Sequence, residues 1–391
     1  MKINIRIPPP GTRRRKRKLW GWGVLPLLAV ALFAFLAFRA HYPVVSGAQP
    51  PRQEVAGAYH VHSTQSDGRL SAEQIAHAAA QAGLDFVVMT DHNVETLPAP
   101  RFVAGVLLVP GEELTTPNGH LVALGTSRAL TVDERSHDAI AHVAALGGFS
   151  VLAHPVQTKN PWRDWNAAAK ADGLELYSAD TMLREALHHP LSRLFPAGVS
   201  WLLNPVHALM LASAAQPDTV AHLLELSKGA PKIALCATDA HGLPRPAELS
   251  YESEFKAFVM HLPSVQRPLS PDPVVASQAV LAGLRSGQGY CGFDAIAPAA
   301  GFRIGAGARE VKVGDRAALT LPAVLPPTQV RISGPATLEP DGHTVRFTGT
   351  GPVELEIWAR APGLFGGSVW RPWIIPAPLL VRPADAQAAT R

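Results

Sequence analysis

Residues 58–92 read AYHVHSTQSDGRLSAEQIAHAAAQAGLDFVVMTDH. Two short apolar runs, AYHVH and DFVVMTDH, flank an alanine-rich stretch whose apolar residues recur at helical spacing. Ser71, with Gln74 three residues later, has the form of a capping box and marks the helix start. The unit is therefore strand, helix, strand, and strands that alternate with helices argue for a parallel sheet. Both apolar runs end in histidine, and His60 and His62 stand two apart. Strand side chains alternate, so both imidazoles should face one side.

The same pattern continues to about residue 243. GVLLVPGEE, HLVALG, FSVLAHP, GLELYS and KIALCATDAH are further short apolar runs. DERSHDAIAHVAALGG reads as a second helix, closed by glycine. About seven such units suggest a closed, irregular barrel, with an open doubly wound sheet as the alternative. PLSPDPVV at 268–275 interrupts the pattern, and SQAVLAGLRSGQG reads as a last helix. From about residue 300, runs such as TQVRISG, HTVRFTG and PVELEIWAR alternate apolar and polar residues between Gly and Pro. They predict a small antiparallel β domain.

Hydrophobic residues make up 47% of the 391 and charged residues 17%, which excludes a disordered chain. Two cysteines, Cys236 and Cys291, are too few for a disulfide framework or a zinc-finger cage. Residues 1–53 hold ten basic residues and no acid, leaving 25 basic against 31 acidic, a net of −6, for the rest. No basic stripe is left for a nucleic-acid partner, and none is expected.

Leu19–Phe38 is a run of twenty residues without a charge, preceded by six consecutive basic residues, Arg13–Lys18. At 1.5 Å per residue it would rise about 30 Å, the thickness of a hydrocarbon core. The basic flank would stay in the cytoplasm. The expectation is an inner-membrane, single-pass protein with its catalytic part periplasmic or extracytoplasmic. A cleaved signal peptide is the alternative. The expected division is 1–18 basic cytoplasmic tail, 19–38 transmembrane helix or signal anchor, 39–55 linker, 56–298 barrel and 299–391 C-terminal β domain.

The chemistry-bearing residues cluster at the C-terminal ends of the expected strands. His60 and His62 are followed by Asp67; His92 follows FVVMTD; Glu113 follows VLLVPGE; His120 opens HLVALG; His154 follows FSVLA; Asp239 and His241 follow KIALCA. That end is where parallel α/β folds carry function. One His-x-His alone reads as packing, and Asp67 before Gly68 reads equally as a turn residue. Four such signals in one chain point to metal. Imidazoles with carboxylates suit Zn²⁺, Mn²⁺ or Fe²⁺, and a carboxylate such as Glu113 could bridge two ions. Glu112 points the opposite way in a strand. Glu175 reads as a residue behind the ligands or a structural one, Cys236 as a small buried residue behind the site, and Ser63 and Thr90 as donors to substrate. His207, His222 and His261 read as surface or packing residues. No G-x-S-x-G elbow and no nucleotide-binding glycine motif is present.

At these residues the chain resembles the PHP (polymerase and histidinol phosphatase) metallohydrolases. The matching pieces are HVHSTQSDG, TDHN, PGEELTTPNGH, AHP and TDAHG, in that order, over roughly residues 55–295. The GEELTT…GH segment and the ending WRPWIIPAPLLV are similar to the carbaryl-hydrolase-type exported branch, although Ile375-Pro376-Ala377-Pro378 stands where that branch reads serine-asparagine-proline. The resemblance implies a distorted seven-stranded (β/α) barrel with two or three Mn²⁺, Fe²⁺ or Zn²⁺ ions and a phosphoesterase activity on a small-molecule ester. On that basis His60, His62, Glu113 and Asp239 hold one ion, and Glu113, His120 and His154 a second. Asp67, His92 and His241 hold a third or contact substrate. His60, His62, Glu113, Asp239 and His241 are the candidate catalytic residues. The alternatives are a carbamate, amide or carboxylic-ester hydrolase on the same site, and a non-catalytic envelope binding module. Specificity is expected in the loops 93–104, 156–172 and 180–215.

Overall fold

The structure, a computed structural model, describes residues 17–42, 50–95, 97–242, 246–305 and 307–384, the side chains of 17–23 excepted. Most of the basic run before the apolar segment, and residues 43–49 of the expected linker, lie outside these residues. The chain has a mixed α/β fold built on one large sheet.

Seven strands carry the site: β1 (Glu54–Val61), β2 (Phe86–Met89), β3 (Val106–Thr116), β4 (Gly119–Leu124), β5 (Phe149–Leu152), β6 (Gly173–Ser178) and β7 (Ile233–Ala237). Each pairs with the next in chain order. The end of β7 then returns to β1, where Thr238 N donates to Tyr59 O at 2.9 Å and His62 N to Ala240 O at 3.1 Å. The seven strands therefore meet in a ring. Most neighbours run parallel. The exception is β4, antiparallel to both β3 and β5. A hairpin replaces the expected crossover helix there, because only Pro117 and Asn118 separate the two strands.

Both faces of the first strands are buried, as a parallel sheet requires. Val55 and Tyr59 of β1, Phe86 and Val88 of β2, and Leu107 and Val109 of β3 pack in one core. Ala56 and Ala58, Val87 and Met89, and Val106 and Leu108 pack in another, against Ile75 of the helix Ala72–Gln81 and Tyr251 and Phe255 of the helix Ala247–Ala257. Simple alternation from Tyr59 would send His60 and His62 together to the outer face, with Ala56 and Ala58. The register of β1 on β2 shifts between Ala58 and Val61, and His60 sits at φ 66°. This bulge moves Val61 into the outer core with Ala58 and turns both histidines into the mouth of the ring. Period-two spacing was thus an incomplete reason for their shared side.

Further strands extend the sheet beyond β1: β8 (Val259–Gln266), β9 (Tyr290–Gly292) and, through it, the C-terminal strands β11 (Ser368–Pro376) and β10 (Gly351–Pro362). The C-terminal strands therefore continue the large sheet, covering an edge that would otherwise present unpaired backbone groups. A separate four-stranded sheet holds Arg303–Ile304, Arg316–Thr320, Thr344–Phe347 and Ala336–Leu338. Cys236 of β7 and Cys291 of β9 are buried and bonded to each other.

The membrane expectation is corrected. The helix Arg17–Ala40 exists, but among the described residues no helix is long and apolar enough to cross a membrane. Its end is docked on the fold: Arg39 donates to Gly363 O at 2.7 Å and Asn204 Nδ2 to Ala40 O at 2.8 Å. The single-pass inner-membrane placement and the membrane partner do not stand.

Close strand approach at β1 and β2 depends on Gly57, where an added Cβ would lie 2.3 Å from Phe86 O. Backbone cannot yield as a side-chain tip can, so Gly57→Ala should lower stability by about 1–3 kcal/mol. A lower urea midpoint with an unchanged denaturant slope is the expected result.

Candidate metal centre

The ring mouth collects side chains from six strand ends. His60 and His62 come from the bulged end of β1, His92 from beyond β2, Glu113 and His120 from the β3–β4 hairpin, His154 from beyond β5, and Asp239 and His241 from beyond β7. On the hairpin Glu113 pairs with Val122 and Thr115 with His120, so Glu113 and His120 are diagonal neighbours on one face. His60, His154 and Asp239 all have positive φ, at 66°, 30° and 48°. Such backbone costs about 1–3 kcal/mol per residue, and persists where surrounding contacts hold it. Three strained residues here face one another.

Glu113, with no exposed surface, stands at the centre. Its Oε2 lies 3.1 Å from His60 Nε2, 3.2 Å from His62 Nε2 and 3.0 Å from His92 Nδ1. Its Oε1 lies 2.9 Å from His120 Nδ1 and 3.0 Å from His154 Nε2. Asp239 Oδ1 is 3.4 Å from His60 Nε2 and 3.3 Å from His62 Nε2. Asp67, more exposed, reaches His241 Nε2 at 3.2 Å and His92 Nε2 at 3.7 Å. All nine residues singled out from the sequence thus meet here.

Three groups place one donor atom per residue within 4.8 Å of one another: His60, His62, Glu113 and Asp239; His92, Glu113 and His120; and His62, Asp67, His92 and His241. Each could hold a metal ion. The second contains His92 where the sequence reading had His154. Oε2 of Glu113, Nε2 of His60 and His62 and Nδ1 of His92 are buried without a hydrogen-bond partner. Leaving a buried polar atom unsatisfied costs about 1–3 kcal/mol. Four such atoms converging on one space, all of them metal-ligand types, fit a divalent cation.

Charge follows geometry. Burial pushes the His60 imidazolium down, but the carboxylates of Glu175, Glu113 and Asp239 outweigh it and hold it well above its ordinary value. His62, against the same burial, is pushed up to about 9 by the adjacent carboxylates of Asp239 and Glu113. Burial would raise Glu113, yet His60, His120 and His154 hold it well below the carboxylate range. Asp239 is likewise held low against burial by His60 and His62. Glu112, turned to the other side of β3, is pushed up by burial while its carboxylate accepts from Leu130 N.

Some solved structures are similar to this chain, while no family model and no curated protein matches it. The chain is similar to PHP-like metal-dependent phosphoesterases. A two-domain protein from Bacteroides vulgatus, containing a predicted PHP-like metal-dependent phosphoesterase, is 15% identical with a TM-score of 0.42, covering 83% of this chain and 100% of its own. PsfC from Pseudomonas syringae is 15% identical with a TM-score of 0.34, over 60% of this chain and 97% of its own. A protein from Bifidobacterium adolescentis assigned to the metal-dependent phosphoesterases is 16% identical with a TM-score of 0.33, over 51% of this chain and 91% of its own. Likeness at this distance does not reach the chemistry, which rests on the site's own atoms.

Behind the cluster, Glu175 does more than the sequence suggested. Its Oε1 accepts from His60 Nδ1 at 2.6 Å, and its Oε2 from the backbone N of strained His154 at 2.7 Å. The first bond fixes the tautomer that turns the Nε2 lone pair of His60 toward Glu113. Asp91 went unremarked in the sequence. It accepts from Ser63 N, Ser63 Oγ and Ser66 Oγ at 2.6–2.8 Å, pinning the loop that carries His62. Its only signal was its place between Thr90 and His92. Ser63 is thereby turned away from the mouth, and Thr90 Oγ1 accepts from Val61 N. Both hydroxyls are engaged within the protein. His261, read as a packing residue, lies buried between Glu54 and Asp294, 3.3 Å from the latter.

The cluster opens into a cleft of about 310 Å³. Gln157, Lys159 and Asn160 line it from the loop after β5, and Asp180, Leu183, Arg184 and Leu209 from the helical segment after β6. Arg184 Nε lies 2.5 Å from Asp180, which also accepts from Gln157 Nε2.

Two outcomes follow. Glu175→Gln should fold but bind metal about 10–100-fold more weakly, read by titration against a competing chelator. In the metal-free chain, the stabilisation from the raised His62 is full below its ordinary 6.5 and is lost as pH rises through about 9. The urea midpoint of that form should therefore fall over this window, while metal affinity rises across it as the ligand loses its proton.

Proposed function

We propose that the chain is a metal-dependent phosphoesterase on a PHP-type barrel. One observation carries the reading: the two oxygens of buried Glu113 face two different sets of imidazoles, and the atoms on the Oε2 side have no hydrogen-bond partner. His60, His62, Glu113 and Asp239 would hold one ion. Glu113 and His120, with His92 or His154, would hold the second. Asp67, His92 and His241, with His62, are placed for a third ion or for the substrate's oxygens. Bound Mn²⁺, Fe²⁺ or Zn²⁺ supplies a water that ionises near neutral pH and positive charge for the attacking and leaving oxygens.

The chain's own groups do the rest. Glu113 sets the spacing of the two sites. Glu175 orients His60. Asp239 offsets positive charge between His60 and His62. Lys159 and Arg184 at the rim favour an anionic ester, Arg184 in a reduced degree because Asp180 neutralises it. A hydroxyl nucleophile is not required: Ser63 is bonded to Asp91, and Thr238 Oγ1 donates to the carbonyl of His60 at 2.9 Å.

Metal-loaded full-length chain should release p-nitrophenolate from a phosphomonoester or phosphodiester far faster than from an aryl carbamate with the same leaving group. The reverse order would favour the carbamate or carboxylic-ester reading. Failure to bind metal, with no turnover of any of the three, would leave a binding module. Glu113→Gln should lose at least about a hundredfold in kcat/KM, the equivalent of about 2.7 kcal/mol, together with bound metal measured by elemental analysis.

A further inference from the structure

The cleft has two unlike walls. On one side are the imidazoles and carboxylates; on the other Ala179, Leu183 and Leu209 form an apolar strip beside the Asp180–Arg184 ion pair. Beyond Leu183 and Leu209 lies a smaller recess of about 30 Å³, bounded by Met182, Met210 and Phe258. The two spaces share Ala179, Leu183, Leu209 and Glu254 in their walls, so they adjoin at these residues. The recess is built between the helices Ala179–Leu187, Pro205–Ala212 and Ala247–Ala257. The first two are tied together by Arg193, which donates to Met182 O at 3.0 Å and to Ala212 O. Glu254, the polar group at the boundary, accepts from Ser250. An apolar recess of this kind stays dry and takes apolar groups. Two methionines in its wall let it adapt to shape.

We propose that the leaving group of the natural ester carries an apolar substituent, seated on Leu183 and Leu209 with its end in this recess. This deepens the phosphoesterase reading and rests on it. A phosphoryl group at Glu113 and its histidines would direct the ester's organic part along the cleft, where the walls change from ionic to apolar. Shape and polarity then select the alcohol or phenol, while the ring mouth selects the phosphoryl group. Discrimination arises because each methylene moved from water onto this wall favours the bound transition state.

The test is a series of para-alkylphenyl phosphates, from phenyl to butyl, on the metal-loaded full-length chain, with inorganic phosphate release as the readout. Leaving-group acidity hardly changes along this series, so size is what varies. The expected result is a rise in kcat/KM of about fourfold per methylene until the recess is filled. In Leu209→Asn and, separately, Leu183→Gln the series should flatten, with metal content retained as proof of a folded site. A flat or falling series in the unaltered chain, with clear turnover of phenyl phosphate, overturns the inference and leaves the phosphoesterase reading intact. A rising series that both variants reproduce overturns the assignment to this wall. No turnover of any member by metal-loaded chain overturns the phosphoesterase reading itself, and the inference with it.

Discussion

Five imidazoles crowd one buried carboxylate, and the ring mouth is organised around that crowding. Charges removed from water are costly unless paired and hydrogen-bonded. In Glu113 the pairing is complete but the hydrogen bonding is not. Its Oε2 and the facing nitrogens of His60, His62 and His92 meet without satisfied hydrogens between them. In the metal-free chain the cluster is balanced by protons held on histidine against burial, as the raised His60 and His62 show. A divalent ion supplies the same positive charge with geometry that suits all the lone pairs at once. Proton and metal are thus alternative occupants of one electrostatic site.

Such a cluster has to be imposed by the scaffold. The register shift in β1 and the left-handed backbone at His60, His154 and Asp239 turn these side chains inward where regular strands would turn some of them away. The surrounding bonds hold the strain. Glu175 reaches both the ring of His60 and the backbone of His154, and the backbone of Thr238 is tied to Tyr59 across the seam where the ring closes. The hairpin between β3 and β4 does in two turn residues what a crossover helix would have prevented: it puts Glu113 and His120 side by side.

Substrate handling is separated from this rigid core. The crossover from β6 to β7 is long and helical, and it forms the far wall of the cleft. Selection by that wall can vary without disturbing the strand ends, which is the usual division between a scaffold and its loops. The ions and the water they activate act on whatever ester the wall admits.

Much was legible in the chain alone. The alternation of apolar runs and helices announced an α/β sheet, since buried strands and amphipathic helices have different periods. His and acidic residues at the ends of those runs marked one mouth, since parallel strands put their C-terminal ends together. Other features were not legible. A twenty-residue apolar run read as a membrane span, yet no described helix is long and apolar enough for one, and its end is bonded to the fold. The phase slip at His60, the reach of Glu175 across 115 residues, the bond between Cys236 and Cys291, and the apolar far wall also escaped the sequence. Residue type and periodicity are local properties of the chain and decide which groups are offered. Which oxygen meets which nitrogen depends on long-range strand closure and on backbone distortion at single residues, and only the folded chain sets those.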